Sequence, residues 1–260
     1  MTSLIVIPAR YASTRFPGKP LADIGGVPML LRTANIARAV GAFVVATDDA
    51  RIKDFCTAHD LPVVMTDPDL PSGSDRAKAA ADLFAPDAEI IVNLQGDAPF
   101  TPPAYVQACL DALNRDPQAD IATPVVALSW NALDELREAK RTTPFSGTCA
   151  IVGDNRRARW FSKNIVPAIR KEAAQRREGD MSPVLQHVGL YAYRREALAR
   201  YVTLPPSTYE TLEGLEQLRA LENGMIIACA RVRAHPMSQA GIDTPEDVAR
   251  AEAKLKALPQ

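Results

Sequence analysis

Leu4-Ile5-Val6-Ile7 is an unbroken apolar run close to the start of the sequence. A run without polar alternation fits a strand buried on both faces, and Pro8 is expected to end it because proline cannot donate to a sheet ladder. Similar short runs return at residues 43–47 (FVVAT), 63–65 (VVM) and 89–94 (EIIVNL). Between them lie stretches with helical spacing: residues 27–40 with apolar Leu30, Leu31, Ala34, Ala37 and Ala39, residues 51–59, and residues 75–84. Strands that alternate with helices predict an α/β fold with a mostly parallel sheet, and right-handed crossovers keep the strand-end loops on one edge. The loops after the first strand and after residues 89–94 then share a crevice, the place where such sheets take ligands.

The rest of the chain is less regular. Pro102-Pro103 opens a helix to about Arg115, and residues 121–128 read as a strand. Residues 150–152, 159–161, 188–193 and 225–232 are further strands, and residues 207–223 contain a helix. Thr244 caps a last helix, with Pro245 suited to its first turn and Glu246 and Asp247 favourable to its dipole. The expected organisation is one domain: residues 1–128 bind the ligand, residues 129–240 form a smaller α+β region, and residues 241–260 add a final segment and helix. With 260 residues, 47% of them hydrophobic, the chain can bury such a core.

A formal net charge of −1 argues against a general nucleic-acid binder, which needs a broad basic surface. The densest basic patch, residues 170–177, includes Glu172 and reads as a solvated helix or loop face. Cys56, Cys109, Cys149 and Cys229 stand far apart, so neither a zinc site nor a disulfide framework is expected and a reducing cytosol is the simplest setting. No stretch approaches the roughly 20 apolar residues of a spanning helix, and the amino terminus lacks the pattern of a secretory signal. A soluble cytoplasmic protein is expected.

Chemistry concentrates in residues 8–20, PARYASTRFPGKP. Arg10, Arg15 and Lys19 stand among Ala12, Ser13, Thr14, Pro17 and Gly18, so three cations and backbone N–H groups can converge on one polyanion. A solvated basic turn is the alternative, and the loop's place at the end of the first parallel strand favours phosphate. The loop is not a P-loop, and Gly25-Gly26 is not a dinucleotide fingerprint.

This loop resembles the signature loop of the 3-deoxy-manno-octulosonate cytidylyltransferases (CMP-Kdo synthetases), which charge the acid sugar Kdo with CMP from CTP. The resemblance continues, in family order, through VATD at residues 45–48, SGSDR at 72–76, NLQGD at 93–97, HVGLY at 187–191, LEQLR at 215–219 and GIDTPED at 241–247. It implies a Rossmann-like sheet of the nucleotide-diphospho-sugar transferase type, a Mg²⁺ cofactor, a cytoplasmic homodimer and a role in lipopolysaccharide assembly. Residues 1–128 become the CTP-binding half, residues 129–240 the sugar-binding and dimerisation region, and residues 241–260 a metal-ligand segment.

Nucleotidyl transfer needs phosphate neutralisation, a metal, a reader of the base and a pocket for the sugar. Arg10, Arg15 and Lys19 are expected on the β and γ phosphates, with Ala9, Ser13 and loop amides beside them. Asp97 is the leading metal ligand, because Mg²⁺ favours one or two carboxylates plus phosphate oxygens and water. The resemblance adds Asp243 as a second ligand, although an Asp before Thr-Pro also reads as a helix cap. Arg10, Lys19, Asp97 and Asp243 form the expected catalytic set. Ser74 and Gln95 can orient ligands without adding charge. By resemblance Arg76, His187, Tyr191, Glu210 and Gln217 face the sugar, and the Gln95 amide is expected to serve both CTP and sugar. Read alone, Arg76 is a surface residue, His187 a structural one, and Glu210, Glu213 and Gln217 a solvated helix face.

The resemblance thins between residues 142 and 182, where the chain has Phe145-Ser146-Gly147-Thr148-Cys149-Ala150, Phe161-Ser162-Lys163 and Pro167-Ala168, and also at Ala98-Pro99. Lys163 stands where the family commonly has arginine, and lysine cannot hold a carboxylate bidentately. A related acid sugar (8-amino-Kdo or a sialic-acid-like sugar) and a non-catalytic CTP-binding regulator are the alternatives to Kdo activation.

Overall fold

The fold is described from a computed structural model over residues 1–12, 16–238 and 241–257. Internal packing divides the chain into two units. The first draws on Met1–Gln107, Leu190–Val202 and His235–Gln260, and the second on Ala108–Gly189 and Thr203–Ala234. Both are discontinuous in sequence, so boundaries after residues 128 and 240 do not coincide with them.

The first unit opens with β1 (Ser3–Ala9), a ribbon of β2 (Asp23–Ile24) and β3 (Val27–Pro28), and α1 (Met29–Arg38). It continues through β4 (Phe43–Thr47), α2 (Ala50–Ala58), β5 (Val63–Met65), α3 (Gly73–Phe84) and β6 (Ile90–Leu94). After α4 (Pro103–Arg115) the second unit contributes β7 (Ile121–Ser129), α5 (Trp130–Thr142), β8 (Thr148–Val152), β9 (Ala158–Ser162), α6 (Glu172–Glu178) and β10 (Met181–His187). The chain then supplies β11 (Leu190–Arg194) and α7 (Arg195–Tyr201) to the first unit, and α8 (Thr208–Glu213), α9 (Glu216–Glu222) and β12 (Ile227–Val232) to the second. It ends, within the described residues, with α10 (Pro245–Ala257) in the first.

The first unit's strands run in the order β5-β4-β1-β6-β11. Four of them are parallel, and β11 returns antiparallel to β6. From β1 the chain builds β4 and β5 on one side and then crosses to place β6 on the other. The carboxyl ends of β1 and β6 therefore flank the point where strand order reverses, where an open α/β sheet leaves a crevice. Pro8 does not end β1. The register with β6 stops at Val6↔Asn93, while Pro8 and Ala9 pair only with Ala46 and Thr47 of β4, so proline sits where the ladder is one-sided.

The second unit's strands run β12-β7-β10-β8-β9, with β12 parallel to β7 and the remaining pairs antiparallel. This is the expected α+β character. Two of its elements were not anticipated, α5 and β10. In β10 the register shifts between Met181 and Leu185, a bulge that accommodates Pro183. Residues 207–223 hold two helices rather than one, separated by Gly214 at φ 63°. Among the described residues no helix is long and apolar enough to cross a membrane.

Candidate active site

Where β1 and β6 diverge, a cleft of about 450 Å³ opens in the first unit. The end of β1 lines it with Pro8, Ala9 and Arg10, the end of β6 with Gln95, Gly96 and Asp97, and the start of α3 with Ser72 and Gly73. The backbones meet closely here: a Cβ on Gly96 would lie 2.7 Å from the Pro8 carbonyl oxygen. Ser72 caps α3, its Oγ accepting from the N–H groups of Ser74 and Asp75 at 3.2 Å each. The positive end of a twelve-residue helix thus faces the cleft and favours an anion there.

Lys19 enters the cleft from a 3₁₀ turn, Lys19–Leu21, set up by Gly18 at φ 72°. A side chain at Gly18 would also press on the Tyr11 ring, 3.1 Å away. The base of the loop is closed by the Gly18 N–H, which donates to the Tyr11 carbonyl at 2.9 Å. Tyr11 is held in turn by Arg51 of α2, whose guanidinium lies 3.4 Å from the ring centroid and makes two hydrogen bonds with Asp49. Ser13 and Arg15, expected at the phosphates, lie outside the described residues.

The Lys19 ammonium is 2.8 Å from Asp97 Oδ2 and 3.3 Å from Asp243 Oδ1. Two carboxylates separated by 146 positions in sequence thus meet at one cation. Asp243 is brought there by backbone: the Ile242 N–H donates to the Asp97 carbonyl at 3.1 Å, and Ile242 is buried with Ile24, Met29, Met237 and Ala251. Thr244 caps α10 as expected, its Oγ accepting from the Asp247 N–H at 3.4 Å, and the Asp247 carboxylate reciprocates by accepting from the N–H groups of Asp243 and Thr244 at 2.9 Å each. With Thr244 as the cap, the Asp243 carboxylate reaches Lys19.

Arg76 lines the cleft but is fully buried, which corrects the surface reading. Its guanidinium donates to Asp48 at 2.7 Å and to Thr66, while its Nε has no acceptor among the described residues. Burial lowers its pKa, Asp48 pulls it back up, and repulsion from Arg10 lowers it again. Arg10 donates to the Leu70 carbonyl. Gln95 lines the cleft beside Gly73. Ser74 is a correction: its side chain is buried against Tyr193 and Asn93, at 3.4 and 3.3 Å, and it is Ser72 and Gly73 that line the cleft.

The other expected sugar residues are committed to internal packing. Tyr191 of β11 is buried against Tyr193, ring centroids 6.0 Å apart. In the second unit Gln217 is buried, and Glu210 holds Arg219 through both carboxylate oxygens and caps α8 at Ser207. Burial opposes ionisation of Glu210, but the bonds from Arg219 and Ser207 win and lower its pKa. His187 shares a 2.8 Å hydrogen bond with Thr123 and meets Phe161 edge-on. Desolvation, reinforced by Lys163, brings its pKa down to about 3, so the imidazole is neutral at physiological pH. Glu213 is no free surface acid, because it accepts from the Ser162 hydroxyl and the Lys163 N–H at 2.8 and 2.7 Å. In the divergent segment, Lys140 donates to the carbonyls of Pro144, Ser146, Gly147 and Lys163 and so ties the loop down.

A divalent cation fits the donor set of the first unit. Asp97 and Asp243 are 40% and 49% exposed and converge on one cation, leaving room for the water and phosphate oxygens that Mg²⁺ favours. Among the described residues no group of three or more His, Cys, Asp or Glu side chains could form an all-protein cage.

A family model described as cytidylyltransferase matches residues 4–227. The chain is 44% identical over 260 residues to the 3-deoxy-manno-octulosonate cytidylyltransferase of Maricaulis maris (strain MCS10), covering 99% of this chain and 98% of that protein. The chain belongs to the 3-deoxy-manno-octulosonate cytidylyltransferase family. A second family member, from Paramagnetospirillum magneticum (strain ATCC 700264 / AMB-1), is 43% identical over 266 residues, with 99% of each chain covered. A solved structure of CMP:2-keto-3-deoxy-manno-octonic acid synthetase complexed with CTP matches with a TM-score of 0.84 and 35% identity over 99% of both chains.

In this cytidylyltransferase, sequence reasoning missed three contributors to the cleft: Ser72, Asp48 and the Arg51 clamp on Tyr11. The first had a signal, since Ser72 with Asp75 three residues on is an N-cap pattern opening a helix. Asp48 stands in the VATD segment that the resemblance marks, but its pairing with Arg76 and the stacking of Arg51 on Tyr11 join segments distant in sequence.

Proposed function

We propose that this chain transfers CMP from CTP to the anomeric C2 hydroxyl of Kdo, releasing pyrophosphate and yielding CMP-Kdo. The observation that carries the reading is the convergence of Lys19, Asp97 and Asp243 in the strand-reversal cleft, beside Arg10, Arg76 and the start of α3. A nucleoside triphosphate with a divalent cation calls for that combination of cations, carboxylates and a helix N-terminus.

The attacking oxygen belongs to the sugar, so the protein supplies positioning and charge stabilisation rather than a covalent nucleophile. Asp97 and Asp243 would hold Mg²⁺, which supplies neutralisation of phosphate charge and lowers the effective pKa of the sugar hydroxyl. Arg10, Arg15 and Lys19 bind the β and γ phosphates and stabilise the charge that builds on departing pyrophosphate. Ala9 and Ser13 contribute to CTP binding in the same loop, and Gln95 orients a ligand through its amide. Arg76, fixed by Asp48, presents a rigid positive wall near Arg10 that favours the sugar carboxylate. The sequence resemblance extends the proposal to a cytoplasmic homodimer that serves lipopolysaccharide assembly.

Pyrophosphate release with CTP and Mg²⁺ tests the reading when Kdo, 8-amino-Kdo, a sialic acid and no sugar are compared. Release with Kdo above the others is expected. Release only with another acid sugar would overturn the substrate assignment, and binding of CTP with no release from any sugar would make the chain a regulator.

A further inference from the structure

We infer that Lys19 is the resident cation of the Asp97–Asp243 pair in the metal-free protein, and that a divalent ion can take the pair only when the Lys19 ammonium moves off it. The inference rests on the proposed reading of Asp97 and Asp243 as metal ligands. Two carboxylates aimed at one point repel each other, and the ammonium removes that repulsion. Its placement is built into the backbone: Gly18 in the left-handed region turns the chain into the 3₁₀ turn, and the Lys19 side chain is only 15% exposed. An ammonium is a compact point charge with three donors and no acceptor, so it occupies the space a small hard cation would take and competes for the same oxygens.

The arrangement makes metal and nucleotide entry interdependent. Without nucleotide, a divalent ion must displace Lys19 into solvent, and affinity is held down. With CTP present, phosphate oxygens accept the ammonium and Lys19 no longer competes for the oxygens of Asp97 and Asp243. Lys19 then joins triphosphate binding to assembly of the metal site, and the carboxylate pair resists being filled by a metal ion that arrives alone.

Arg10 provides an internal control. It stands in the same cleft with the same charge, yet its hydrogen bond goes to the Leu70 carbonyl. Mn²⁺ binding to the nucleotide-free protein, followed by the loss of the free-Mn²⁺ electron paramagnetic resonance signal, separates direct competition from general charge. Lys19→Met is expected to tighten Mn²⁺ binding by about tenfold or more, and Arg10→Met by less than about threefold. Lys19→Gln repeats the measurement with a neutral polar side chain, and thermal melts confirm that each variant is folded. Equal tightening by Lys19→Met and Arg10→Met, or none by Lys19→Met and Lys19→Gln, would overturn the inference. Adding Asp97→Asn to the wild type and to Lys19→Met should weaken binding in both. If no Mn²⁺ site sensitive to Asp97 exists in either background, the metal-ligand reading fails and takes this inference with it. A site that depends on Asp97 but is indifferent to Lys19 sinks the inference alone.

Discussion

Gly96 separates the floor of the cleft from the chemistry above it. The residue needs no unusual φ; what it needs is room, since a Cβ would meet the Pro8 carbonyl at 2.7 Å. That carbonyl cannot retreat easily, because Pro8 pairs with Ala46 in the middle of the sheet. Gly96→Ala is expected to cost about 1–3 kcal/mol through overpacking and to shift Asp97 away from Lys19. Chemical denaturation together with the KM for CTP checks this, and a variant as stable and as active as wild type would show that the two backbones have slack. The same scale explains why Arg76 and Ser74 differed from expectation. Both lie in the SGSDR segment, but the turn of α3 buries the Ser74 hydroxyl under Tyr193 and ties Arg76 to Asp48, leaving Ser72 and Gly73 at the cleft.

At the scale of elements, the loop after β1 depends on α2. Arg51 is 61% exposed, and its pair with Asp49 contributes little to global stability, as is usual for surface ion pairs. Its stacking on Tyr11 instead fixes the base of the loop that delivers Lys19. Arg51→Ala should raise the KM for CTP about two- to fivefold while leaving Tm nearly unchanged, given the worth of an exposed cation–π contact. An unaltered KM would remove the clamp from the account. The alternation of strands and helices in residues 1–94 was legible because buried parallel strands carry their whole signal in a few consecutive apolar residues. The second unit was less so. β10 contains Pro183 and tolerates it through a register shift, and α5 offers only Trp130 and Leu133 as fully buried residues on an otherwise polar helix. Asp97 could be read from its place at a strand end. Asp243 could not, since its arrival depends on the Ile242 backbone bond and on the Asp247 carboxylate that holds the Asp243 N–H. Only the family resemblance pointed to it.

For the whole molecule, pH acts through groups that folding has shifted. The native His187 imidazole has its pKa at about 3, against an ordinary 6.5, so as pH falls below 6.5 the unfolded chain takes up a proton that the native state refuses. Its contribution to stability is fully present above 6.5 and is lost as pH falls towards 3. Glu172, held down to about 2 by Arg137 and Arg176 from an ordinary 4.5, is lost only as pH falls below 4.5. The interval between these two ordinary values therefore isolates the histidine from this carboxylate. Tm should decline from pH 6.5 to 4.5 in the wild type, and His187→Asn should flatten that slope. The same slope in both would show that another group is responsible.

Each unit has its own buried apolar cluster, around Ile24 and Met29 in the first and around Trp130 and Leu133 in the second, so folding can be followed separately from activity. The most direct test of the account is pyrophosphate release from CTP and Kdo by Asp97→Asn and Asp243→Asn, with melting curves recorded on the same samples. Both carboxylates are partly exposed, so the amides should leave Tm close to wild type while turnover falls by at least about a hundredfold in each, as expected when a group that stabilises transition-state charge is removed. Turnover near the wild-type level in either folded variant would contradict the metal assignment and move the centre of the chemistry away from the Lys19 cleft.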